Sequence, residues 1–370
     1  MVRKKELHDV LTAYGVADRV LCVQAYGNGH INNTDLVTLK EESREDVFNK
    51  LIIQKINTSI FKNPVQLMEN VTQVTEWIKK KIEARGGDTM REVLRIIPTK
   101  DGAAFYIAEN GDFYRAYVFI DGGICLDKPR TKEDFYESGI AFGGFQGYLA
   151  DFPAEKLYET IPDFHNTVKR LEAFKQAVKE DVCGLAASVR EEIDFALSEE
   201  ESVTYCAQCK KNLPLRVTHN DTKLNNAMLD AVTEKALCVL DLDTVMPGYA
   251  MDDFGDAIRF GASTALEDEA DLTKVSCDIT MYRAFTEGFL KGTEGRLTEE
   301  EILLFPLGAK MMTYECGIRF LMDYLQGNVY FKVAYPEHNL VRARNQFALV
   351  KDMNKKMVEL NKIMVEFAKI

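Results

Sequence analysis

The 370-residue sequence contains no run of about eighteen apolar residues, so it offers no transmembrane helix. Its start, "MVRKKELHDVLTAYGV", is charged and then amphipathic, and it lacks the continuous apolar stretch of a secretory signal. Positive charge is in deficit. With 46 Lys and Arg against 58 Asp and Glu, the net charge of −12 opposes non-specific attraction to nucleic acid or an anionic membrane. An anionic nucleotide would need a local positive site or a metal ion. The eight cysteines are scattered without a disulfide framework, and the five histidines include no H-E-x-x-H. Cys206 and Cys209 form a C-x-x-C, but they lie in an acidic helical stretch without the second pair or preceding strand that metal or redox use requires. We read them as structural thiols. What remains is a folded, water-soluble, cytoplasmic chain with neither nucleic acid nor membrane among its partners.

Apolar residues make up 46% and charged residues 28%, ordinary for a globular protein, and the length favours two lobes. From 20 to 121 the segments "VLCVQAY", "TDLVTL", "NKLIIQKI", "EVLRII", "AFYIA" and "DFYRAYVFI" are rich in β-branched and aromatic residues, separated by Gly, Asn and Asp. They read as strands. Between the third and fourth, "NPVQLMENVTQVTEWIKKKIEARGG" has Pro64 at its start and Gly86 at its end, the marks of a capped helix. After 121 the patterns turn helical, over 132–150, 162–180 and 187–207, with a strand-rich island at 215–243. The expected architecture is α+β and bilobal, a small antiparallel-sheet lobe over 1–121 and a larger, mainly helical lobe over 122–370, with a ligand cleft at the junction. At the C-terminus, Leu340, Ala343, Phe347, Val350, Met353, Met357, Leu360, Met364 and Phe367 form one apolar helical stripe. It either packs on the large lobe or forms a homodimer.

The chemistry concentrates in "VTHNDTKLNNAMLD", where His219, Asp221, Lys223 and Asn226 fit H-x-D-x-K-x-x-N, the kinase catalytic-loop pattern. In-line phosphoryl transfer needs the acceptor oxygen and the metal-bridged phosphates on opposite sides of one phosphorus. A short loop can present an acid to the acceptor and an amide to the metal, and a lysine between them neutralises the moving charge. About twenty residues on, Asp241 and Asp243 follow the apolar run "ALCVL", where that scheme places its main magnesium ligand. In the small lobe, "YGNGHINNT" sits between two strands as a phosphate-covering hairpin would, with Gly27, Asn28, Gly29 and Asn32 as nucleotide contacts. Lys55 falls where a phosphate-pairing lysine is expected, with Glu69 on the following helix as its partner. A slip of one residue would turn Lys55 outward and Gln54 inward.

At these residues the chain resembles the aminoglycoside phosphotransferase and choline kinase superfamily. "HNDTKLNN" and "VLDLDTVMPG", with "FKNPVQLMENV", "IPDFHNT", "DDFGDAIRF" and "YECGIRFLMDYLQGNVYFK", look nearest to its N-acetylhexosamine 1-kinases. The resemblance implies a protein-kinase-like fold, ATP and Mg2+, and phosphorylation of the anomeric hydroxyl of N-acetylglucosamine or N-acetylgalactosamine. It would make Asp221 the base, Asn226 and Asp241 the metal ligands, and Phe260, Arg319 and Tyr330 the sugar contacts. An aromatic face can stack on a pyranose and Arg319 can donate to its hydroxyls. Alternatively, Phe260 and Tyr330 are core and Arg319 pairs with Asp323 on its own helix. Two other readings remain open at this point, a kinase of an aminoglycoside, choline or homoserine on the same fold, and a nucleotide-binding pseudokinase.

Overall fold

The computed structural model describes residues 2–27, 32–41 and 48–368. The N-terminal lobe begins with α1 (Val2–Ala13), followed by β1 (Val20–Ala25), β2 (Asn33–Leu39), β3 (Lys50–Lys55), α2 (Pro64–Ala84), β4 (Tyr106–Ile107) and β5 (Phe113–Val118). The strands form an antiparallel five-stranded sheet in the order β1-β2-β3-β5-β4. One sheet face packs under α1 through Val10, Val37, Leu51, Ile53 and Ala116, and the other packs on α2.

Helix α2 starts where Pro64 has no N–H to lose and the Asn63 side chain accepts from the Gln66 N–H at 3.2 Å. It stops before Gly86, whose φ of +75° is left-handed. Its buried stripe, Leu67, Val71, Val74, Ile78 and Ile82, meets Phe145 and Leu149 of the large lobe as well as the sheet. Buried Asn70 donates to the Tyr158 and Val245 carbonyls at 2.8 and 3.0 Å, tying the helix to the large lobe.

The large lobe comprises β6 (Gly123–Cys125), α3 (Lys132–Tyr148), α4 (Thr167–Glu180), α5 (Arg190–Ser198), α6 (Glu200–Lys210), β7 (Arg216–Thr218), β8 (Ala227–Asp230), β9 (Ala236–Val239), β10 (Met246–Gly248), α7 (Ala250–Gly261), α8 (Ile279–Gly292), α9 (Glu299–Leu303), α10 (Phe305–Leu325) and α11 (His338–Ala368). Strands β6, β8 and β9 make one small sheet and β7 pairs with β10. The main core lies among α3, α7, α8, α10 and α11, around Phe254, Phe285, Phe289 and Phe305.

Several expected elements differ. "EVLRII" makes only one isolated bridge, Ile96 to Tyr117, because β4 already occupies the other end of the same β5 edge and leaves room for two hydrogen bonds, from Ile97 N–H and to Arg95 C=O. The helix expected over 162–180 begins at Thr167, where Asn166 caps it. The one expected over 187–207 divides at Glu199, whose buried carboxylate pairs with Lys310 at 2.6 Å and accepts from Asn354. The C-terminal stripe is spent within its own lobe, with Leu340, Ala343, Phe347, Val350, Met353, Leu360 and Met364 buried. Cys206 is buried in α6 as a free thiol, which burial pushes up to about 12.

Candidate active site

The residues expected to form a catalytic loop, His219, Asp221, Lys223 and Asn226, lie between β7 and β8. Asn220 adopts φ +65°, a left-handed turn that asparagine tolerates. What holds this turn is an acid that its sequence pattern would equally offer to a cationic acceptor. Asp253, in the first turn of α7, accepts from the His219 N–H at 2.9 Å, the Asn220 N–H at 2.7 Å and Gln146 Nε2 at 2.7 Å. Burial pushes the Asp253 carboxyl above its usual range while these donors pull it back. Asp256, one turn on, accepts from the Thr222 N–H at 2.9 Å. The signal was present in "DDFGDAIRF", because acids inside an otherwise apolar helix need donors.

His219, expected among the catalytic residues, is fully buried between Phe142 and Phe145. Its Nε2 donates to the Leu240 carbonyl at 2.7 Å and its Nδ1 accepts from the Asp221 N–H at 3.3 Å. Both nitrogens are used, so the ring positions the loop against the strand end that precedes Asp241.

Asp221 is half-buried and its two oxygens are held apart, Oδ1 by Lys223 at 2.8 Å and Oδ2 by Asn226 Nδ2 at 3.3 Å. Asn226 Nδ2 also donates to the Asp221 carbonyl at 2.8 Å, which leaves its amide oxygen for a cation. Burial opposes the charge on Lys223, but Asp221 and Asp256 outweigh it and raise its ammonium above the usual range. Asp241 follows β9 in a left-handed conformation, φ +55°, exposed to the cleft and without a hydrogen bond to its carboxylate among the described residues. Surrounding protein desolvates it in part, Asp243 and Asp221 add like charge, and its carboxyl is pushed up to about 6. A cation would relieve that crowding. No three His, Cys, Asp or Glu side chains converge as a metal cage among the described residues. An all-oxygen set of one or two carboxylates and an amide suits Mg2+, which keeps waters and takes its other ligands from phosphates.

Asp243 behaves differently from the expected second metal ligand. It is buried, ion-paired to Arg115 of β5 and hydrogen-bonded to Asn32 Nδ2 at 2.6 Å, so both oxygens are engaged within the protein. Asn32 thus meets the large lobe at Asp243, and its Oδ1 accepts from the Asn57 N–H at 2.9 Å. Gly27 has φ +76°, a conformation that favours glycine, while Asn28 and Gly29 lie outside the described residues.

The structure does not bring Lys55 to the face that meets Asp243; Arg115 of β5 takes that place. In the β3–β5 register Gln54 lies opposite Arg115 and accepts from its Nε at 3.0 Å, so Gln54 turns inward. Lys55 turns to the other face and pairs with Asp112. Glu69 is exposed on α2 and meets the Tyr158 hydroxyl, not Lys55. Arg115 is 1% exposed and lies 5.1 Å over the Tyr117 ring. Burial opposes its charge, and Asp243 restores it and raises the guanidinium above its usual range.

On the acceptor side, Arg259 lies over the Phe260 ring at 4.8 Å, and Arg319 over Tyr330 and Phe331 at 5.8 and 5.4 Å. Phe260 is half-buried and Tyr330 is 66% exposed, so neither is core. Asp323 does not pair with Arg319, because it accepts from the Tyr330 and Phe331 N–H groups at 2.8 and 2.9 Å. One turn before Arg319, Glu315 accepts from His165 Nδ1 at 3.0 Å and Thr167 Oγ1 at 2.7 Å, and His165 Nε2 reaches the Asn220 carbonyl at 3.1 Å. Helix α10 is thus linked to the catalytic loop through His165.

The model of the phosphotransferase enzyme family matches residues 87–282, which include both the catalytic loop and Asp241. The chain belongs to this family. Its fold is shared by an aminoglycoside phosphotransferase from Alicyclobacillus acidocaldarius, at TM-score 0.61 and 11% identity over 95% of this chain and 96% of that one. A choline kinase from Cryptosporidium parvum aligns at TM-score 0.55 and 14% identity over 96% of each. A spectinomycin phosphotransferase solved with ADP and spectinomycin aligns at TM-score 0.58 and 11% identity over 96% and 98%. Like these relatives, this phosphotransferase has an antiparallel-sheet N-terminal lobe on a helical C-terminal lobe.

Proposed function

We propose that this phosphotransferase transfers the γ-phosphoryl group of ATP to the anomeric C1 hydroxyl of N-acetylglucosamine or N-acetylgalactosamine. The reading rests on Asp221, a carboxylate fixed through both oxygens, with Asp241 close by and without a hydrogen bond to its carboxylate among the described residues. Asp221 accepts the acceptor hydroxyl's proton and aims its oxygen at the phosphorus. Lys223, already paired with Asp221, is placed to offset charge on the transferring group. Asn226 and Asp241 would hold Mg2+, which supplies charge neutralisation across the bridging phosphates. Asn32, bonded to Asp243, would border the phosphate side, and Arg115 acts indirectly by anchoring Asp243.

The charges on the acceptor side favour a neutral acceptor over a cationic one. A cationic amine is recognised by unspent carboxylates or an aromatic cage. Here Asp252 is paired with Lys210 at 2.7 Å, Asp256 with Arg259 at 3.0 Å, Glu315 with His165, and Asp253 with backbone donors. Arg319, without an ion pair among the described residues, suits hydroxyl and acetamide oxygens. A coupled assay of ADP release over N-acetylhexosamines, choline, homoserine and an aminoglycoside tests this. Turnover confined to the N-acetylhexosamines is expected. Preference for a cationic acceptor would overturn the sugar assignment, and nucleotide binding without phosphorylation of any acceptor would overturn the enzymatic one.

A further inference from the structure

A second cavity, of about 530 Å³, is lined by none of the residues assigned to the proposed reaction. It is enclosed by the C-terminal half of α2, residues 92–94, α3, β9 and the end of α8. Its apolar walls include Ile78, Val93, Phe145 and Leu242. Its rim carries four cations, Lys81, Arg85, Lys291 and Arg296, against two carboxylates, Glu92 and Glu294. Lys81 is paired with Asp151 and Arg85 with Glu92, and Arg296 lies 4.0 Å from Glu294. Lys291 forms no ion pair among the described residues, and its Nζ donates to the Tyr136 hydroxyl at 3.0 Å. The volume falls within the range of small-molecule sites.

A glycine supplies a separate observation. Four glycines lie along α3, and three have a packing reason to be there. A Cβ on Gly139 or Gly143 would strike the backbone of α8, and on Gly147 it would meet the Gly292 carbonyl at 2.9 Å. Gly144 has no such reason, since nothing lies within 4 Å of the Cβ it lacks, and it lines the cavity. Glycine is unfavourable in a helix interior, and here the space its missing side chain leaves is part of the cavity. Leu242 closes another wall, so an occupant would touch the residue that separates Asp241 from Asp243.

We propose that this cavity is a second binding site, distinct from the nucleotide cleft, for a small organic anion carrying an apolar ring. The ring lies against Ile78, Phe145 and Leu242 over Gly144, and the anionic group meets Lys291, with Arg296 beside it. The probe is 8-anilinonaphthalene-1-sulfonate, titrated by fluorescence into the full chain with the cleft saturated by ADP. We expect saturable binding that ADP does not compete away. Gly144→Leu, which fills the cavity, and the double variant K291A/R296A, at its rim, each weaken binding by about ten-fold or more, a loss of about one decade in Kd. Both keep the circular dichroism and ADP affinity of the parent. Absence of saturable binding, complete displacement by ADP, or a folded Gly144→Leu that binds as the parent does would overturn the proposal. Should Gly144→Leu fail to fold, unchanged binding by K291A/R296A overturns it instead.

Discussion

Lys223 and Asn226 each take one oxygen of Asp221, so the carboxylate is oriented before any acceptor arrives. Asp221→Asn keeps the size and loses the base, and kcat should fall by roughly 10² to 10⁴ with the thermal midpoint unchanged. Turnover close to that of the parent would remove Asp221 from the role. His165 carries a different prediction. Burial opposes its charge, but Glu315 more than compensates and raises its imidazole above the usual 6.5, while Glu315 is held below its usual 4.5. The stability from the raised histidine is complete below 6.5 and is lost as pH rises through its folded value. That from Glu315 is present above 4.5 and is lost as pH falls. The stability advantage of the parent over His165→Gln should therefore be largest between those values and shrink on the alkaline side, read from urea midpoints across pH. At this scale, the meeting of Asp221, Lys223 and Asn226 was legible because loop spacing is a local property. Arg115 was not, because which face of a strand a residue takes depends on the register with its neighbours. The one clue was a lone arginine in "DFYRAYVFI".

The helices α3 and α8 approach closely enough that backbone meets backbone at Gly139, Gly143, Gly288 and Gly292. Gly143→Ala drives a methyl into the Phe289 carbonyl and should cost about 1 to 3 kcal/mol or more, the penalty of overpacking. Gly144→Ala, one residue on, meets open space and should stabilise by about 0.5 to 1 kcal/mol through helix propensity. Opposite signs in thermal melts are the check, and equal signs would show that the helix contact does not set the glycine requirement. Helix α2 was readable from its ends and its stripe, since Pro64 and Gly86 act locally. "EVLRII" misled because β propensity marks residues that suit a pleated surface, whereas a ladder also needs a free edge, and β4 holds part of that one.

Polar contacts between the lobes include Arg115 with Asp243, both almost fully buried, Asn70 with the Tyr158 and Val245 carbonyls, and Lys81 with Asp151. Arg115→Ala leaves Asp243 buried and unpaired and should cost roughly 3 to 5 kcal/mol, while R115M/D243L should recover much of that loss. Denaturant midpoints of the single and double variants measure it. Nucleotide affinity should fall in both, because Asn32 loses its Asp243 partner directly in the double variant and indirectly in the single one. The bilobal plan was legible from the change of pattern after residue 121, whereas the charge balance of the acceptor side was not. The acids at 252, 253 and 256 look free in sequence, and only the fold brings Lys210, Arg259 and the loop N–H groups to them. The most direct measurement follows the phosphorus itself, by 31P NMR of the chain with ATP, Mg2+ and N-acetylglucosamine or N-acetylgalactosamine. The account predicts ADP with an anomeric sugar phosphate for the parent chain and neither for Asp221→Asn. Phosphate at another hydroxyl, or product formed equally well by Asp221→Asn, would contradict it.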